Sequence, residues 1–313
     1  MIPSIIALAL AAAPVAAPAV APKTFTTSPA LDPWAVQFDL PSVITGRTYR
    51  IYVTKPLGRT PKAGWPVVYV LDADVAFPSL AAQMVMRTAG GDSGAILVGV
   101  AYPNALATMT LRTRDLTPSQ PTPDAEAVAE LAKTKAEDFG GAGAFHRFMI
   151  EELRPRIAAA YPIDPADQTL MGYSLGGLFT LGVLFQHPDT YRTYVAGSPS
   201  IWWNSREVLK DEAGFAAAVR SGKTAPRILI TSDAWEQDPA SPVLPPPGPK
   251  RDAELKQMAA ARMVDNARDL AARLAALPGA KGYTVRYVLF PEETHETGIP
   301  AASTRGLVFA LTP

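Results

Sequence analysis

Residues 168–185 read QTLMGYSLGGLFTLGVLF. The first half, through Tyr173, has the short apolar character of a strand covered on both faces. The second half, Leu175 to Phe185, is apolar all round, the pattern of a helix buried against a sheet. Ser174 falls between them, with Gly172, Gly176 and Gly177 on either side. A strand that becomes a helix within one residue brings two backbones into close approach, and glycine alone leaves the room. The stretch therefore predicts a buried strand, a sharp turn carrying an isolated hydroxyl, and a buried helix.

The same kinds of run recur on both sides. WAVQFDL (34–40) and RTYRIYVTKP (47–56) alternate well enough for a half-solvated antiparallel pair. WPVVYVLDA (65–73), GAILVGVAYP (94–103), YRTYVAGSPS (191–200), PRILITSD (226–233) and YTVRYVLFP (283–291) are nearly continuous apolar strands. Between them, Phe145, Met149, Ile150, Leu153 and Ile157 share one helical face. Leu255, Met258, Met263, Leu270 and Leu274 do so in one long helix predicted near 251–276. Alternating strands and helices imply an α/β fold with a single, mostly parallel central sheet covered by helices on both faces. Two polar or Pro-rich insertions, near 112–142 and 236–251, follow the fourth and seventh strands. No repeat or linker divides the chain, so 22–313 is read as one domain.

The 313 residues carry 29 basic and 29 acidic side chains, so no global field favours nucleic acid or an anionic membrane. With no cysteine, disulfides, thiolate chemistry and Cys-ligated metals are all excluded. Residues 1–21 are Ala-rich, apolar and free of acid. Ile5–Ala13 and Ala17-Pro18-Ala19 suit the hydrophobic and cleavage regions of a secretory signal, which implies export, to the periplasm. A disordered Ala/Pro tail or a retained anchor is the alternative. The prolines and short length speak against a stable membrane span.

A hydroxyl at a strand-to-helix turn of the form Gly-x-Ser-x-Gly is the setting of a nucleophile, with the amide of Leu175 facing any oxyanion that forms. The loop after the third strand offers a second amide, that of Asp74. A serine needs a base, and the chain has three histidines. His146 falls within a helix and His187 at the end of one, where packing and capping are their expected roles. His295, in a polar loop after the last strand, is the base by elimination. The acid should lie between serine and histidine in the chain, where Asp233, Glu236 and Asp238 are all available. No His-x-x-x-His spacing and no Gly-rich dinucleotide turn occurs, so neither metal nor organic cofactor is expected.

The central segment from Gly140 to Trp203, with VVYVLDADVAF, RTRDLTP, ILITSDAWEQD and LFPEETHETG around it, resembles the Putative esterase family of α/β-hydrolases. That family includes the enterobactin, salmochelin and bacillibactin esterases. The resemblance implies an α/β-hydrolase fold and a serine esterase with Ser174 as nucleophile and His295 as base. Among the three acids it selects Glu236. It gives Leu175 and Asp74 as oxyanion donors, although Ala73 stands where glycine is usual. It further implies a small-molecule ester substrate, a ferric catecholate trilactone in the siderophore branch. Such a complex is a trianion, so Arg112 and Arg114, with Lys133 and Lys135 on the neighbouring insertion, are expected to line the rim. Their other reading is pairing with Asp115 or solvent. Trp202 and Trp203 are expected to wall the pocket, with packing in the core as their other reading, and Tyr173, where many members have histidine, is placed with the substrate-binding residues. Feruloyl or acetyl ester hydrolysis, acyl transfer on the same fold, and a non-catalytic exported binding protein are the competing readings.

Overall fold

The computed structural model describes residues 34–104, 108–121 and 135–312. The leader, residues 1–21, and Lys133 lie outside the described residues.

Eight strands form one sheet: β1 (Val36–Pro41), β2 (Thr48–Thr54), β3 (Trp65–Val70), β4 (Ile96–Ala101), β5 (Ile163–Tyr173), β6 (Thr193–Gly197), β7 (Arg227–Asp233) and β8 (Thr284–Phe290). Their order is β1-β2-β4-β3-β5-β6-β7-β8. β2 pairs antiparallel with β1 and β4, and every other neighbouring pair is parallel. This is the mostly parallel, doubly covered sheet of an α/β-hydrolase fold.

Why the inner strands read as unbroken apolar runs is visible in their alternation. Val67 and Tyr69 of β3, Leu170 of β5, Tyr194 of β6 and Ile228 and Ile230 of β7 enter one core. Their neighbours Val68, Val70, Met171, Val195 and Leu229 enter the other. Each strand thus satisfies two apolar faces with a period of two.

Helices α1 (Ala73–Ala89) and α10 (Gly298–Leu311) cover the second face through Phe77, Leu80, Met84 and Leu307. Toward the first face come α2 (Thr108–Leu116), α3 (Ala142–Arg147) and α4 (Arg154–Ala160), the last two joined by a π-helical turn at Phe148–Leu153. With them pack α5 (Leu175–Gln186), α6 (Trp203–Arg206, a single turn whose Asn204, Ser205 and Arg206 have positive φ) and α7 (Glu212–Arg220). The long helix expected near 251–276 is two: α8 (Pro249–Ala261) and α9 (Met263–Ala275), separated by Arg262 at φ 48°. Only α9 is driven into the core, by Ala267, Leu270, Ala271 and Leu274. α8 contributes a single buried residue, Ala261, so the two could not share one axis and one face. Among the described residues no helix is long and apolar enough to cross a membrane.

Candidate active site

The turn between β5 and α5 holds Ser174 at φ 58° and ψ −118°, a conformation that a non-glycine residue adopts only when its surroundings enforce it. Those surroundings are the neighbouring backbones. A Cβ on Gly172 would sit 2.2 Å from the carbonyl oxygen of Gly176. One on Gly177 would sit 2.7 Å from that of Gly197. The Ser174 amide donates to Gly197 O at 2.9 Å, and Ser200 N–H donates to Ser174 O at 3.1 Å, which pins the turn from both sides. The first-turn amides of α5, beginning with Leu175, have no carbonyl within the helix to bond.

The β8–α10 loop brings His295 back over the carboxyl ends of the strands. Its Nε2 lies 2.8 Å from Ser174 Oγ. Its Nδ1 is hydrogen-bonded to Glu236 Oε1. A carboxylate at Nδ1 keeps the proton on that nitrogen and leaves Nε2 as the acceptor for the serine hydroxyl. Glu236, on the turn after β7, is buried to 9 % exposure. Ser198 Oγ reaches both its oxygens at 2.5 Å, and the amide of Asp233 donates to Oε2 at 3.1 Å. Trp235 N–H donates to the Glu293 carbonyl at 3.0 Å, tying the loop of the acid to the loop of the histidine.

Of the three acids left open by residue reading, Glu236 alone meets the imidazole. The Asp233 carboxyl accepts instead from the Tyr173 hydroxyl, and burial pushes its pKa up to about 7. Asp238 is spent on its own loop, accepting from Ala240 N–H at 2.8 Å. The other histidines are elsewhere. The His146 and His187 rings stack 4.9 Å apart beyond α5, and burial lowers the pKa of His146 to about 4.

In front of Ser174 and His295 opens a cavity of about 680 Å³, walled by Trp202, Trp235, Leu244 and Met258. That size suits a drug-sized or larger ligand.

The family model described as Putative esterase matches residues 42–242. The chain belongs to the Putative esterase family. It is 36 % identical over 273 residues to the ferri-bacillibactin esterase BesA of Bacillus subtilis (strain 168), covering 85 % of this chain and 86 % of that one. Over 242 residues it is 33 % identical to the siderophore triacetylfusarinine C esterase of Aspergillus fumigatus, covering 73 % and 77 % of the two chains. Among solved structures, the BES protein from Bacillus cereus superposes with a TM-score of 0.77 at 28 % identity, covering 92 % of this chain and all of that one. The protein is a hydrolase acting on ester bonds.

Several expected substrate contacts are elsewhere. Arg112 belongs to α2 and makes a bidentate pair with Asp72, at 2.8 and 2.7 Å. Arg114 donates to the Glu137 carbonyl at 2.5 Å. Neither pairs with Asp115, which is buried and takes bonds from Tyr49, Tyr102 and Arg47. Lys135 is exposed beside Glu137 at 3.6 Å. Trp203 is fully buried, its indole N–H on the Ser119 carbonyl at 3.3 Å, so Trp202 alone of the pair reaches the cavity. Tyr173 is buried beneath the histidine loop and does not line the cavity wall. Asp74 lies in the first turn of α1 with its carboxylate turned to Tyr52 Oη at 3.3 Å. The sequence reading missed Ser200, whose Oγ is 3.4 Å from Ser174 Oγ, and the cavity residues Trp235, Val243, Leu244 and Glu254. The one signal available for them was an aromatic residue beside the acid in DAWEQD.

Proposed function

We propose that Ser174, His295 and Glu236 act as nucleophile, base and orienting acid in hydrolysis of a siderophore ester. His295 Nε2 takes the hydroxyl proton as Ser174 Oγ attacks the ester carbonyl. The oxyanion is held by the amides of Leu175 and Asp74, at the starts of two helices whose dipoles favour negative charge. Collapse breaks the ester C–O bond, and the imidazolium returns its proton to the leaving alcohol. Water, deprotonated by the same histidine, then attacks the acyl carbon; the acyl C–Oγ bond breaks, the imidazolium returns its proton to Ser174 Oγ, and the acid leaves. The observation that carries this reading is the 2.8 Å contact of Nε2 with Oγ while Nδ1 is held by Glu236. The siderophore assignment is supported by relatives named as esterases of ferri-bacillibactin and of triacetylfusarinine C. The composition of residues 1–21 supports export, to the periplasm, which N-terminal sequencing of the protein recovered from cells would test.

A fluorophosphonate probe should label the protein at Ser174 and fail to label Ser174→Ala. Siderophore polyesters and methyl ferulate, assayed side by side, test the substrate class. Turnover of methyl ferulate alone would remove the siderophore assignment and leave the esterase.

A further inference from the structure

The wall of the active-site cavity carries carboxylates where arginines were expected to meet a trianion. Its ionisable members beyond the Glu236–His295 pair are Glu254, half-buried on α8, and Glu296, exposed in the histidine loop. The remainder is largely aromatic and aliphatic. Trp202 and Trp235 stand near the serine, Leu244, Met258 and Met263 extend the wall, and Val243 stands 60 % exposed. Among the described residues lining the cavity there is no lysine or arginine. Of the cations in this region, Arg112 is paired with Asp72 and Arg262 with Asp265, while Arg114 donates to the Glu137 carbonyl and Arg251 of α8 to the carbonyls of Pro239 and Pro245.

Charge decides what such a wall accepts. Three catecholate dianions around one ferric ion leave a trianion, whereas three hydroxamate monoanions leave a neutral complex. Bringing a trianion beside two carboxylates at the mouth of an apolar cavity is a like-charge juxtaposition, which disfavours its binding. An uncharged complex presents its ligand backbone and methylene arms to the tryptophans and methionines with no such cost.

We propose that this site selects its siderophore ester by charge, taking an uncharged ferric hydroxamate polyester in preference to a trianionic ferric catecholate. The proposal rests on the siderophore-ester reading above. Glu254 and Glu296 are the specificity-determining residues, acting by repulsion of the wrong substrate.

The test compares kcat/KM for a ferric tris-hydroxamate cyclic triester and a ferric tris-catecholate trilactone, with p-nitrophenyl acetate as a third ester. The hydroxamate complex should be preferred by at least about tenfold at low salt, and the preference should shrink as added salt screens the carboxylates. In Glu254→Gln/Glu296→Gln the ratio of the two rates should move toward unity. A preference for the catecholate complex, or a wild-type ratio indifferent to salt, overturns the charge inference while leaving the siderophore reading intact. Cleavage of p-nitrophenyl acetate with neither siderophore cut overturns the siderophore reading and this inference with it. The salt series needs only the wild-type protein, so the test survives a variant that does not fold.

Discussion

The Tyr173 hydroxyl joins the Asp233 carboxyl to the main-chain carbonyl of His295, which it meets at 2.7 Å. One phenol therefore links the end of β7 to the loop that delivers the histidine. The single phenol proton goes to Asp233 when that carboxyl is ionised; when Asp233 is protonated its own O–H donates to the phenol, and the phenol donates to His295 O. Burial, above all, raises the Asp233 pKa from the usual 3.8 to about 7. A raised carboxyl pKa means that the folded state holds a proton that the unfolded state has already lost. Its contribution is complete below about pH 4 and disappears as pH rises through about 7. Asp233→Asn, permanently neutral, should match the wild type near pH 4 and exceed it in melting temperature above pH 7. A constant difference across that range would show that Asp233 does not titrate there.

Glu236 and Asp233 are separated by three positions, yet only the former reaches Nδ1. Glu236→Gln should lower kcat by about 10⁴, because an amide no longer fixes the imidazole tautomer or stabilises its cation. Asp233→Asn should lower it by less than about tenfold near neutral pH, since its carboxyl acts on the loop and not on the ring. Steady-state ester hydrolysis by the two purified variants checks this. Equal losses would reassign the acid.

Arg112 is expected to act on rate through Asp72. Asp72 has a left-handed backbone at φ 50°, opens α1, and places Oδ2 3.3 Å from where a Cβ on Gly176 would stand. The bidentate pair thereby ties α2 to the start of α1, at the point where α1 approaches the start of α5. Arg112→Ala should reduce kcat about tenfold with KM changed by less than about twofold, because the misplaced amides matter most to the oxyanion. Arg112→Lys, a single-point donor, should recover only part of the loss. A rise in KM with kcat unchanged would make Arg112 a substrate contact instead.

Two glycines ten positions apart, one in β5 and one in α5, should answer an alanine in opposite ways. At Gly172 the new Cβ meets backbone at 2.2 Å, and Gly172→Ala should cost more than about 4 kcal/mol, seen as lost soluble yield. Gly182, in the middle of α5, has nothing within 4 Å of a Cβ, and Gly182→Ala should stabilise by up to about 1 kcal/mol through helix propensity. Melting curves of the two variants decide it.

What was legible in the sequence follows from local physics. Each buried strand announced itself because both its faces are apolar, and the glycines around Ser174 marked a close approach that only they permit. His295 was reachable by elimination because the chain has so few histidines. Side-chain direction was not legible. Trp202 and Trp203 are adjacent, yet one faces the cavity and the other the core, where its indole N–H meets the Ser119 carbonyl. Arg112 and Arg114 were expected to line the rim and sit on α2, where partners from other elements hold them. The break at Arg262 carries neither glycine nor proline, so nothing local signals it.

Activity hinges on an imidazole sharing the proton of a strained serine, and ester turnover by Ser174→Ala beside the wild type measures that dependence. With the fold verified by its melting curve, kcat/KM for a p-nitrophenyl ester should drop by about 10⁴ or more. A serine-free protein that retained its rate within about tenfold would contradict the account at its root.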